Sequence, residues 1–226
     1  MLLVPMGDNG EQKAFPFMVA AHHLIPGEAS LYASLLRHYL TKGSSVSTTD
    51  NKKWTIRNYI GYNVNGNHNG TWLVGNYAIR PGAQPWTATP KPGVSWGDLN
   101  DPDWFLAYVA AAIKVTGAQF HDAHTQYSEA VKKLLNKITA KLHGHQLNCK
   151  DCESKLGKEI SPPYFVKERL FGLSAYFRGQ LAGHPSAWKR PWFTSDKWRN
   201  KIFSGGTINA KFLEAYSEAS LMEEGA

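Results

Sequence analysis

A chain of 226 residues with a formal net charge of +7 is long enough to bury a sizeable core as one domain, or as one domain with an extension. Its eight Trp, ten Tyr and ten Phe exclude an intrinsically disordered polymer, which is poor in aromatics. Its two cysteines exclude a disulfide framework, and no stretch reaches the roughly 18 consecutive apolar residues of a membrane span.

The N-terminal segment 1–13 has no basic region ahead of an apolar stretch, and that stretch is too short for a signal peptide, so any export is expected to proceed without a cleaved leader. The apolar run from Phe15 to His23 suits a strand that ends in two histidines, followed by a turn at Pro26-Gly27. Leu31, Leu35, Leu36, Tyr39 and Leu40 recur at helical spacing, which predicts an amphipathic helix over 28–42, stopped by Gly43. A polar loop follows, then a β-rich stretch over 54–64, a turn cluster at 65–70 and a further strand over 71–79.

Five prolines and three glycines between 80 and 103 predict an ordered surface loop. Asp103 is expected to cap a helix that Gly117 ends. A longer helix is expected over 121–142, with Phe120, His124, Tyr127, Val131, Leu134, Leu135, Ile138 and Leu142 on its apolar face. Further helices are expected over 163–181 and 208–224. Between them Trp188, Trp192 and Trp198 are interleaved with Lys and Arg, either to stack bases or to pin a loop onto the core. The expected organisation is a core at 1–142 and an extension at 143–226, separate from that core or continuous with it.

Three islands carry chemistry. Ala21-His22-His23 puts two imidazoles at a strand end, where one ring can bind a metal and the other a water. Phosphodiester hydrolysis needs both a Lewis acid and a base, and imidazole titrates close to neutrality. Asn69-Gly70 is a turn former whose amide can pin backbone groups nearby. On a helix, His121 and His124 would sit three residues apart on one face, within reach of one ion. Taken singly, each has a bland reading: an incidental pair, a hairpin turn, a core histidine. A fourth group, His143, His145, Cys149 and Cys152, fits a structural zinc, although a lone C-x-x-C lacks the second pair of a zinc ribbon.

In this order, the segments AHHLIP (21–26), GYNVNGNHNGTWLV (61–74) and HDAHTQYSEAV (121–131) resemble the AHH family of the HNH/endonuclease VII (His-Me finger) nucleases. The resemblance implies an α+β protein with a ββα-metal core and additional helices. It implies that His22, His121 and His124 hold one divalent ion (Mg, Zn, Ni or Mn), that His23 activates water, and that Asn69 orients that base or braces its loop. It further implies an antibacterial toxin that cleaves DNA after delivery by a secretion machine such as a type VI system into the target cytoplasm. A secretion carrier or chaperone, and a cognate immunity protein in the producing cell's cytoplasm, follow from the same resemblance. The rivals are an RNase using the same residues, and a non-catalytic nucleic-acid-binding module with a structural zinc. A third is a helical interaction protein with incidental histidines.

Overall fold

The computed structural model describes residues 2–6, 11–47, 53–75, 77, 102–147, 159–160 and 165–221. Cys149 and Cys152, and most of the Pro/Gly loop expected at 80–103, lie outside the described residues. In chain order the first elements are β1 (Leu2–Met6), β2 (Glu11–Phe15), β3 (Met18–His23), β4 (Ser45–Ser47), β5 (Lys53–Ile56), β6 (Gly70–Gly75) and helix α1 (Pro102–Thr116). There follow β7 (Phe120–His121), α2 (Thr125–Leu147), β8 (Glu159–Ile160), α3 (Val166–Leu181), α4 (Asp196–Ile202), β9 (Phe203–Ser204), β10 (Thr207–Ile208), α5 (Ala210–Glu218) and β11 (Ser220–Leu221). The protein is α+β, with small sheets and several helices. Among the described residues no helix is long and apolar enough to cross a membrane.

The chain divides into two compact units. One comprises Met1–His22, Trp72–His124 and Gly179–Ala226; the other comprises His23–Thr71 and Thr125–Arg178. In the first, β1 pairs antiparallel with β2, Leu2 opposite Phe15, and β11 closes the other edge of β1. Helix α1 is apolar around most of its circumference, and residues 108–113 are buried without a break, so it runs through the core rather than over it. It starts at Pro102, so the expected cap Asp103 lies one residue inside; a proline is well placed in a first turn because its missing N–H would be unpaired there anyway. Gly117 ends the helix at φ +62°, a left-handed conformation that costs glycine little.

Phe105 and Trp198 meet edge to face at 4.8 Å between ring centroids, and Lys201 lies 4.8 Å from the centre of the Trp198 ring. Trp188 and Trp198 are buried, so these two aromatics of the basic segment anchor it to the core, with Lys189 exposed and the Lys197 ammonium laid over the Phe105 ring at 4.8 Å. Burying side chains of this size contributes about 1.5–3 kcal/mol each.

The second unit has its own core. Tyr127, Val131, Leu135 and Leu142 line one face of α2, and Val166, Leu170 and Phe177 line one face of α3. β4 pairs antiparallel with β5, and β5 pairs parallel with β8. The helix expected over 28–42 is not formed as one piece. Gly27–Tyr32 forms a wide π turn and Leu35–Tyr39 a 3-10 turn, broken at Ser34, whose backbone is extended. The Ser34 hydroxyl donates to Leu31 O at 2.7 Å, and the Leu35 N–H donates to Asn136 Oδ1 at 2.9 Å. Side-chain partners here replace the helical ladder that periodicity alone suggested.

Candidate metal centre

The alternation of a strand decides how the two adjacent histidines are used. Along β3 burial alternates, and it leaves His22 4% exposed while His23 faces solvent. β3, β6 and β7 form one sheet in that order; β6 and β7 run parallel, with Val74 opposite Phe120 and Gly75 opposite His121.

His121 therefore belongs to a two-residue strand, and His124 precedes the first residue of α2. The expectation that both lie on one helical face is corrected: strand pairing with β6 holds 120–121 extended, and the helix begins only at Thr125. The two rings still meet. Ring centroids lie 4.8 Å apart for His22 and His121, 5.0 Å for His22 and His124, and 5.0 Å for His121 and His124.

One ligand atom from each of these three histidines lies within 4.8 Å of the others. Imidazole nitrogens bound tetrahedrally to one zinc at about 2.0–2.1 Å stand about 3.4 Å apart, so closing on an ion takes a movement of about 0.8 Å by each donor atom. The donor set fits a cation on a further count. The Nδ1 of His121 is hydrogen-bonded with the Tyr77 hydroxyl, while its Nε2 is buried with no hydrogen-bond partner among the described residues. Burial, and secondarily the neighbouring His124, push the His121 pKa down to about 4; burial also lowers that of His124. Neutral imidazoles with free lone pairs are what a metal requires. Three nitrogens suit zinc or nickel better than magnesium, which prefers oxygen.

The loop from His121 to His124 is held by three consecutive residues far along the chain. Thr194 donates its hydroxyl to Phe120 O at 2.9 Å and accepts from Asp122 N at 3.2 Å through its carbonyl. The Ser195 hydroxyl donates to Asp122 Oδ2 at 2.7 Å while accepting from Trp198 N at the start of α4. Asp196 N donates to Ala123 O at 2.7 Å, and the side-chain Oε1 of the buried Gln119 accepts from Thr194 N at 3.0 Å. Burial raises the Asp122 carboxyl to about 6, against the pull of the Ser195 hydrogen bond, with Asp196 adding to the rise. None of these partners shows in the sequence, because each contact spans about seventy residues and follows no periodicity.

Asn69 is fully buried in the second unit and all four of its amide valences are used. Its NH₂ donates to Ile25 O and Val64 O, each at 2.9 Å; its oxygen accepts from Ile25 N at 2.8 Å and Ser174 Oγ at 3.1 Å. Leu24 N donates to Asn69 O at 2.8 Å, and the Tyr127 hydroxyl to Leu24 O at 2.5 Å, so the two residues after His23 are fixed. One nitrogen of Arg178 reaches the carbonyls of Asn67, His68 and Gly70 and holds the turn that carries Asn69. His143 and His145 stand on α2, with His145 exposed; the cysteines expected to join them lie outside the described residues.

The model of a protein family described as a nuclease family of the HNH/ENDO VII superfamily with conserved AHH matches residues 6–160. That span contains Ala21-His22-His23, Asn69, His121 and His124. No curated protein and no solved structure matches the chain.

Proposed function

We propose that this chain, which belongs to the AHH nuclease family of the HNH/ENDO VII superfamily, is a metal-dependent endonuclease that hydrolyses DNA phosphodiester bonds. The observation that carries the reading is the approach of ligand atoms of His22, His121 and His124 to within 4.8 Å, with a buried His121 nitrogen that has no hydrogen-bond partner among the described residues. In this reading those three imidazoles hold one divalent ion. When bound, the ion supplies a Lewis acid for a non-bridging phosphate oxygen and for the charge that develops on the leaving oxygen.

His23 takes the proton of the attacking water. Its exposure supports that role, since the ring is open to water and substrate, and it stands next in the chain to the buried His22. Asn69 acts at one remove: by binding both backbone groups of Ile25 it holds the segment that leaves His23. The net charge of +7 supports a polyanionic substrate. The biological setting we propose is an antibacterial effector, carried by a secretion system into the cytoplasm of a target cell and neutralised in the producer by an immunity protein. This setting rests on the family resemblance of the AHHLIP segment.

The test incubates the purified full chain with supercoiled plasmid, and separately with total RNA, in the presence of Mg²⁺, Mn²⁺, Ni²⁺ or Zn²⁺, and measures bound metal. His23→Ala is expected to keep its metal and to lose about 10²–10⁴-fold in cleavage rate, the usual worth of a positioned base. Cleavage at the wild-type rate would remove His23 from the mechanism. Degradation of RNA with plasmid left intact would replace the DNA reading by the ribonuclease one.

A further inference from the structure

A metal ligand is useful only if the proton on its ring sits on the nitrogen facing away from the ion. Neutral histidine in water favours the proton on Nε2, the wrong nitrogen for His121, since its Nδ1 is already engaged by Tyr77. The two rings lie nearly side by side, with centroids 5.9 Å apart and planes 31° from parallel. A proton on Nδ1 would be donated to the Tyr77 oxygen, and Nε2 would then present its lone pair where no hydrogen-bond partner stands among the described residues. Outer partners of this kind fix tautomer and ring orientation in histidine metal sites.

A second observation concerns the space this pair occupies. Gly75 is buried on β6 opposite His121. A Cβ added there would stand 2.5 Å and 2.8 Å from carbons of the Tyr77 ring and 2.5 Å from His121 O. The requirement is for room, since the Gly75 backbone is not left-handed. Two residues of one short segment thus serve the same ring, one by bonding it and the other by having no side chain.

We propose that Tyr77 is the positioning residue that holds His121 in its metal-binding tautomer, and that Gly75 is glycine so that Tyr77 can reach it. The inference rests on the proposed metal centre and adds what prepares one of its ligands. It assigns Tyr77 no contact with substrate.

The test has two arms on the full-length protein. In the metal-free protein, ¹⁵N-histidine NMR reads which ring nitrogen of His121 carries the proton, the signal being assigned by its loss in His121→Gln. Wild type is expected to carry it on Nδ1 and Tyr77→Phe on Nε2. In the second arm Co²⁺ is titrated in, and Tyr77→Phe is expected to raise its Kd about ten- to a hundredfold and to alter the visible Co²⁺ absorption. The metal-free Tm should stay at the wild-type value, because the phenyl ring still fills its place. Gly75→Ala is expected to reproduce the tautomer change with the hydroxyl present. A Co²⁺ affinity unchanged in Tyr77→Phe, or a wild-type His121 with its proton on Nε2, overturns the proposal. If wild type binds no divalent ion but His22→Ala and wild type behave alike throughout, the metal centre itself fails, and the tautomer arm alone decides whether Tyr77 sets the His121 proton.

Discussion

The loop that carries His121 and His124 and the turn that carries Asn69 are both anchored by partners far along the chain, but by opposite means. The loop is strapped by three consecutive residues, Thr194, Ser195 and Asp196, each making one or two bonds to it. The turn is gripped by Arg178 from outside, but among the described residues one amide, that of Asn69, satisfies both the N–H and the C=O of Ile25. A distributed strap loses a fraction of its hold with each substitution. A single hub loses nearly everything at once, and leaves buried backbone groups unpaired.

Three substitutions break or sharpen this contrast. Asn69→Ala should have the largest effect. It strands the buried N–H and C=O of Ile25, at about 1–3 kcal/mol each, and releases the part-buried C=O of Val64 to water, so a loss of about 3 kcal/mol or more is expected in urea unfolding. A loss near 1 kcal/mol would mean that water replaces the amide and that the hub is no hub. Ser195→Ala comes next at about 2 kcal/mol, since it removes the cap of α4, worth about 1 kcal/mol, and the donor to the half-buried Asp122. It should also weaken metal binding measurably, whereas Asn69→Ala should act on cleavage more than on metal affinity. The reverse pattern would dissolve the distinction. Arg178→Ala is expected to cost about 1 kcal/mol, because its guanidinium is exposed and water can take over the three carbonyls. A cost equal to that of Asn69→Ala would show that the turn, not the amide, carries the anchor.

How far the sequence discloses this architecture follows from the range of the interactions involved. β3 with its terminal histidines is written in a short apolar run, and α3 forms at Val166–Leu181 inside the helix expected over 163–181. The end of α1 is written in Gly117. Each of these depends on neighbours within a turn or two. The stretch 28–42 has helical spacing yet breaks at Ser34, because Asn136 captures the Leu35 N–H across 101 residues. His121 leaves the expected helix for the same kind of reason: a parallel pairing with β6 overrides its local preference. His22, His121 and His124 are legible as a set only through the family resemblance. Tyr77, Gln119, Thr194 and Ser195 carry no motif, and they become visible only once the chain is folded around them.

The strap on the His121–His124 loop also bears on how the protein is cut for study. The family match stops at residue 160, whereas Thr194, Ser195 and Asp196 lie beyond it. A fragment trimmed to the matched span would keep every histidine of the triad and discard the segment that tethers two of them. Inertness in such a fragment would report a missing brace rather than a missing catalyst. A fragment that runs through α4 keeps all three tethers, and it is the one expected to hold the loop as the full chain does.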